Sequence, residues 1–135
     1  MAKREFRFIN AGAKRAFKAL PAEIQRQFGL DLQAVADGQK PFSNFKDISS
    51  SVGAGAIELI ENGSPAYRAV YCAKYLNILY VLHAFEKTCE GVDKKAMDTA
   101  EARYKMMKKE IAAAEKLAKK LAKGGEKSKP KKKQK

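Results

Sequence analysis

Three side chains between residues 66 and 87 have the chemistry needed to act on a phosphate. Arg68 can place two parallel hydrogen bonds on phosphate oxygens. His83, the only histidine, can exchange a proton near neutral pH, and Lys87 can hold a neighbouring phosphate. RNA is cut without a metal when its 2′-hydroxyl attacks the adjacent phosphate, which requires proton transfer and cations. The structural alternative is a packed, hydrogen-bonded histidine beside a solvated arginine.

A β-hairpin must position these groups. Residues 66–87 are rich in Tyr, Val, Ile and Leu, which favour strands, and residues 74–77 are the predicted turn, with Asn77 suited to a positive φ. Pairing Ala73 with Ile78 places Arg68 opposite His83, Val70 opposite Val81 and Tyr71 opposite Tyr80. The face that contains Arg68 and His83 then carries Val70, Cys72, Leu79, Val81 and Phe85, and Lys87 if the strand continues. The other face carries Tyr67, Ala69, Tyr71, Ala73, Ile78, Tyr80, Leu82 and Ala84.

Two runs in this hairpin carry a family resemblance. Tyr67-Arg68-Ala69-Val70-Tyr71 and the run from Leu79 to Thr88, which includes Val81-Leu82-His83-Ala84-Phe85, resemble the central hairpin of phage-derived HigB-type toxins. These toxins belong to the RelE/ParE superfamily of toxin–antitoxin systems. The resemblance covers residues 3–109. In many relatives a basic residue follows a Glu-Leu pair, and this chain has Ile60 at that position.

The resemblance implies a ribosome-dependent mRNA endonuclease (mRNA interferase) and a RelE-like fold. Arg68 and His83 are the expected catalytic residues, and Lys87, Lys94 and Lys95 the expected RNA-binding residues. The implied partners are mRNA on the ribosome and a small helix-turn-helix antitoxin, with no cofactor. The ParE branch shares the fold, so a gyrase poison is one alternative, which relaxed DNA with intact mRNA would favour. A nuclease-dead nucleic-acid-binding module is the other, which binding without cleavage would favour.

The remaining elements predict an α+β fold. Residues 4–9 alternate as a strand, Asn10 caps a helix over residues 11–19, and a second helix runs from Pro21 to a stop at Gly38. Residues 40–55 read as a loop, whose Ser/Gly-rich part lacks the ending of a nucleotide-binding loop. Residues 56–61 form a strand before the Asn62-Gly63 turn. A sheet of about four antiparallel-dominated strands results, with the two helices on one face.

A long C-terminal helix completes this prediction. From Asp93, its N-cap, a stripe at 3,4 spacing extends to a stop at Gly124-Gly125. The stripe comprises Met97, Ala100, Tyr104, Met107, Ile111, Ala114, Ala118 and Leu121. Such a helix is roughly 46 Å long, so its end overhangs the domain.

Charge divides the chain into residues 1–115, the toxin-like domain, and residues 116–135, a Lys-rich helical overhang with a disordered tail. Ten lysines and one acid give the second part +9 of the net +13. Such a tail attracts any polyanion, so we expect nonspecific nucleic-acid contact. Cys72 and Cys89 do not form a disulfide framework, and with one histidine no metal site is expected. The chain has no signal-peptide pattern or membrane-spanning run, so we expect a cytoplasmic protein without membrane contact.

Overall fold

The computed structural model describes residues 3–126, with side chains described as far as residue 122. Within this range a five-stranded sheet has the order β1-β5-β4-β3-β2, so β1 and β2 are its edges. β1 is parallel to β5, and the other neighbours are antiparallel. The strands are β1 (Glu5–Phe8), β2 (Asn44–Asp47), β3 (Ala56–Glu61), β4 (Ala66–Cys72) and β5 (Ile78–Lys87).

Helices cover both faces of the sheet. The N-terminal pair, α1 (Ala11–Lys18) and α2 (Ala22–Ala36), lies on one face, where Phe17 and Phe28 pack against Tyr71 and Val81. Helix α3 (Lys94–Glu126) covers the other face, where Tyr104 and Met107 pack against residues of β4 and β5. Burying each large apolar side chain contributes about 1.5–3 kcal/mol. The predicted α+β class and the covering of one face by the two N-terminal helices are confirmed.

The N-terminal helices begin and end where their capping residues predict. The Asn10 side chain accepts a hydrogen bond from the backbone N–H of Ala13 at 2.8 Å, which caps α1. At the end of α2, Gly38 has a φ of 87° and donates its N–H to the carbonyl of Val35 at 3.0 Å. A glycine adopts this φ at little cost, so Gly38 ends the helix as expected.

The fifth strand, β2, lies inside the segment predicted to be a loop. It pairs with β3 from Asn44 opposite Ile60 to Asp47 opposite Ile57. All four of its residues are exposed, so its sequence lacks the alternation that identifies a half-buried strand. The count of about four strands therefore missed an edge strand.

The predicted pairing of β4 with β5 is wrong, although Arg68, His83 and Phe85 do share one face of the sheet as predicted. Val70 lies opposite His83 and Arg68 opposite Phe85, whereas Tyr71 lies opposite Val81. This register shift, a β-bulge, inserts Leu82 as one extra residue in β5. The bulge keeps His83 and Phe85 on the same face as Arg68, as predicted, and α3 covers this face. Leu79 and Val81 instead face α1 and α2, and Ile78, Tyr80 and Leu82 face α3.

Helix α3 extends beyond the sheet it covers. Ile111 is the last buried residue of its apolar stripe, and residues 112–122 are exposed. The helix continues through Gly124 and Gly125 to Glu126, because glycine weakens a helix without forbidding it. The 115/116 boundary lies within this helix, and residues 127–135, where the basic tail was predicted to be disordered, lie outside the described residues. None of the helices between residues 3 and 126 is both long and apolar enough to cross a membrane.

Candidate functional site

A pocket of about 410 Å³ opens between one end of the sheet and the start of α3. Strands β2 to β5 form its floor, and the segment before α3 forms a wall. This volume lies within the usual range of small-ligand sites. The charged groups that line it are Lys46, Asp47, Glu58, Arg68, Lys87 and Asp93.

Glu58 is the acidic group buried in the floor of this pocket. It lies in β3 between Lys46 on β2 and Val70 on β4, with 9% of its surface exposed. Burial raises the pKa of its carboxyl, and the charges of Arg68, Lys46 and Lys87 offset part of the rise. Among the described side chains, no cation lies within 4.0 Å of this carboxyl. A carboxylate near several cations but paired with none can accept a proton.

Arg68 is held rigidly beside the pocket by the β3–β4 turn. Its Nη1 donates to the carbonyl oxygens of Tyr67 at 3.0 Å and Glu61 at 3.3 Å, and its Nη2 donates to Oδ1 of Asn62 at 3.0 Å. The residue is 9% exposed. These contacts occupy three of the five N–H groups of a guanidinium, and the other two have no hydrogen-bond partner among the described residues.

Two lysines add positive charge at the rim. Lys46 lies directly across from Glu58 on the neighbouring strand and is exposed. The amine of Lys87 donates to the carbonyl of Cys89 at 2.6 Å, which turns this side chain toward the segment before α3. Neither amine lies within 4.0 Å of an acidic group among residues 3–122. The pocket therefore combines three cations with three carboxylates, of which only that of Glu58 is buried, and the cations are the groups that can contact a phosphate.

His83 lies behind the pocket rather than in its lining. Its Nδ1 is 3.1 Å from Nη1 of Arg103, and its ring stacks on Phe85 with a centroid distance of 5.3 Å. Burial, and then the charge of Arg103, lowers the pKa of His83 to about 4. Phe85 itself lines the pocket. The structure thus brings Arg68 and Lys87 together in the pocket lining and leaves His83 outside it, in contact with Phe85.

Lys94 and Lys95 lie on the first turn of α3, just past the pocket wall. The Lys94 amine pairs with Asp98 at 3.2 Å, and both side chains are largely exposed. Lys95 is also exposed. The preceding Asp93 caps the helix through the N–H of Ala96 at 3.1 Å, as predicted, and lines the pocket. Neither lysine lines the pocket.

The sequence matches the model of one protein family, described as Phage derived protein Gp49-like (DUF891), over residues 15–105. The chain belongs to this family. The matched region runs from α1 into α3 and includes every charged residue of the pocket. No curated protein matches the chain.

Four charged residues of this Gp49-like pocket, Lys46, Asp47, Glu58 and Asp93, were not among the predicted site residues. Lys46 was missed because its strand, β2, lies in a segment that was predicted to be a loop. Glu58 carried a usable signal, because a carboxylate at the centre of the apolar run Ala56-Ile57-Glu58-Leu59-Ile60 is costly to bury without a purpose. Ile60, which follows the Glu-Leu pair of β3, lines the pocket. The cations of the pocket lie on β2, β4 and β5.

Proposed function

We propose that this Gp49-like protein is the toxin of a type II toxin–antitoxin system and cuts mRNA on the ribosome. The toxin assignment rests on the family and on the resemblance to HigB-type toxins. The observation that supports cleavage is the unpaired, buried carboxylate of Glu58 in a pocket with Arg68, Lys46 and Lys87. A pocket built only to bind phosphate gains nothing from a buried negative charge, whereas a carboxylate is one of the groups that serve as a general base.

In the proposed reaction, Glu58 accepts the proton of the RNA 2′-hydroxyl. The 2′ oxygen then forms a bond to the adjacent phosphorus, and the bond from phosphorus to the 5′ oxygen breaks. The products are a 2′,3′-cyclic phosphate and a 5′-hydroxyl. The leaving 5′ oxygen takes its proton from a nearby ammonium group, for which Lys46 and Lys87 are the candidates in the pocket.

Arg68 has the geometry to stabilise charge in this reaction. Its remaining N–H groups can donate to the non-bridging oxygens of the phosphate, on which charge builds up in the transition state. Burial raises the pKa of Glu58 toward neutral pH, and a pKa near the working pH favours a general base. Proton transfer is assigned here to Glu58 rather than to His83, because Arg103 occupies the Nδ1 of that histidine.

The size of the pocket suits a short piece of RNA. At about 410 Å³ it takes a nucleotide and its phosphates, so the rest of the message must be held elsewhere. We propose that the ribosome supplies that positioning and that a helix-turn-helix antitoxin keeps the protein inactive, as the resemblance implies.

Induced expression in a bacterium tests this function, with growth arrest and mRNA 5′ ends on ribosomes as readouts. Glu58→Gln keeps the shape of the side chain and removes the proton acceptor, so cleavage should fall by ~10²–10⁴. Glu86→Gln is the matched control, because Glu86 is exposed on the same sheet and outside the pocket. His83→Gln should lower cleavage by no more than about tenfold, below the effect of losing a proton-transfer group.

Full cleavage by folded Glu58→Gln protein would remove Glu58 from the mechanism. A loss in His83→Gln as large as that in Glu58→Gln would return proton transfer to His83. Intact mRNA together with relaxed plasmid DNA would contradict the nuclease and support a gyrase poison. If the wild type bound ribosomes without cutting mRNA, the result would support the alternative of a nuclease-dead nucleic-acid-binding module.

A further inference from the structure

Helix α3 carries a row of lysines along one side. With about 100° of rotation per residue, these lysines fall within a sector of roughly 120°. The sector is centred about 120° around the helix from the buried stripe that contains Tyr104 and Met107. Packing of that stripe on the sheet fixes the helix, so the row faces solvent. The lysine row consists of Lys105, Lys108, Lys109, Lys116, Lys119 and Lys120.

Most amines of the lysine row are free of acidic partners. Among the side chains of residues 3–122, no carboxylate lies within 4.0 Å of Lys109, Lys116, Lys119 or Lys120. Glu101 lies 4.0 Å from Lys105 at one end of the row. Unneutralised charges of one sign on a rigid helix repel each other, and a polyanion relieves that repulsion.

The row lacks groups that read single-stranded nucleic acid. Binding of single strands relies on aromatic side chains on which bases stack, and residues 105–122 contain no aromatic side chain. The Tyr75 ring beside the row is covered by the amine of Lys108, which lies 4.2 Å from the ring centroid. The row spans about 22 Å along the helix axis, and a duplex carries roughly 13 phosphates over that length. A straight row of cations without stacking groups therefore matches the backbone of a duplex.

We propose that the lysine row binds the phosphate backbone of double-stranded nucleic acid. This site is separate from the pocket, and it requires neither cleavage nor the residues proposed to carry it out. Because lysines contact phosphates as point charges, binding at the row is independent of base sequence. It also gives a role to the exposed end of α3, which does not pack against the sheet.

Fluorescence anisotropy with the full chain and a 20-base-pair RNA duplex tests the proposal. The test variant changes Lys109, Lys116, Lys119 and Lys120 to Gln. The control changes exposed Lys14, Lys18, Arg26 and Lys40 to Gln, which removes the same charge from α1, α2 and the loop after α2. The test variant should bind at least about 30-fold more weakly at 0.1 M salt, and its slope of log K against log salt should shrink by about 3. The control should lose no more than about threefold, since its charges lie away from the row.

Equal weakening of both variants would overturn the proposal, because net charge rather than the row would then set the affinity. Single-stranded RNA that binds as tightly as the duplex would also overturn it, as would a wild type that binds anionic phospholipid vesicles but no duplex. A DNA duplex of the same sequence shows whether the row distinguishes RNA from DNA. Similar affinity for both duplexes supports recognition of either, and tighter RNA binding supports RNA.

Discussion

The Nδ1 atom of His83 lies 3.1 Å from Nη1 of Arg103. A guanidinium only donates hydrogen bonds, so Nδ1 is the acceptor and the ring carries its proton on Nε2. The same Nη1 donates to the carbonyl of Leu82 at 3.1 Å, at the bulge of β5. Arg103 therefore fixes the tautomer of His83 and the position of the bulge together, and protonation of His83 would break this arrangement.

Acid should destabilise the protein through His83. Its folded pKa of about 4 lies below the ordinary value of 6.5, so between these pH values the unfolded chain binds the additional proton. Stability then falls as pH is lowered through this window. Thermal unfolding followed from pH 7 to pH 5 should show a falling midpoint in the wild type and a smaller fall in His83→Gln. The same fall in both proteins would show that other groups cause the acid sensitivity.

Arg68→Lys should separate charge from geometry in the pocket. Lysine keeps the positive charge but loses the planar fork, so we expect cleavage to fall by about 10²-fold. Ribosome binding should change little, because the net charge is the same. Mapped mRNA 5′ ends and ribosome pelleting measure the two effects. Unchanged cleavage would mean that Arg68 acts only as a point charge.

Asp31 should be important for the position of β2. Its fully buried carboxyl accepts the N–H groups of Phe42 at 2.8 Å and Ser43 at 2.9 Å, just before the strand that carries Lys46. Asp31→Ala leaves two donors without a partner and should lower the free energy of unfolding by about 2–4 kcal/mol. Asp31→Asn keeps an acceptor oxygen and should cost less. Urea unfolding compares them, and equal losses would show that the charge matters more than the hydrogen bonds.

Two glycines should respond to alanine in opposite directions. A Cβ at Gly53 would clash with the ring of Tyr104, so Gly53→Ala must displace that ring and destabilise the protein. A Cβ at Gly29, inside α2, meets no atom within 4 Å, so Gly29→Ala should stabilise by about 0.5–1 kcal/mol. Melting temperatures measure both changes. Stabilisation by Gly53→Ala would mean that the loop yields freely to the added methyl group.

Alternation of side chains was a good guide to the faces of β4 and a poor guide to pairing. The buried residues of β4 face the two layers as predicted, because period-two alternation follows from strand geometry alone. The pairing with β5 depends on where Leu82 is inserted, and no residue type marks such a bulge. Asn77 does adopt a positive φ of 56°, as its side chain allows, but so does Leu76, which the sequence does not indicate.

The candidate site was only partly predictable for a related reason. Arg68 and Lys87 share a face of one hairpin, so local alternation places them together. Glu58 and Lys46 join them only through the pairing of β3 with β4 and of β2 with β3. Such pairings are set by the packing of the whole sheet, and the sequence of a single chain does not specify them.

The order of synthesis differs from the order of strands in the sheet. β1 pairs with β5, so Glu5 cannot form its strand pairing until Ile78 has been synthesised. The interval between the synthesis of these two residues is about 4–15 s at ordinary rates of translation. The pocket needs β5 and also Met97 of α3. A nascent chain that ends before Met97 has no complete pocket, so the cleavage proposed above cannot begin until this residue has been made.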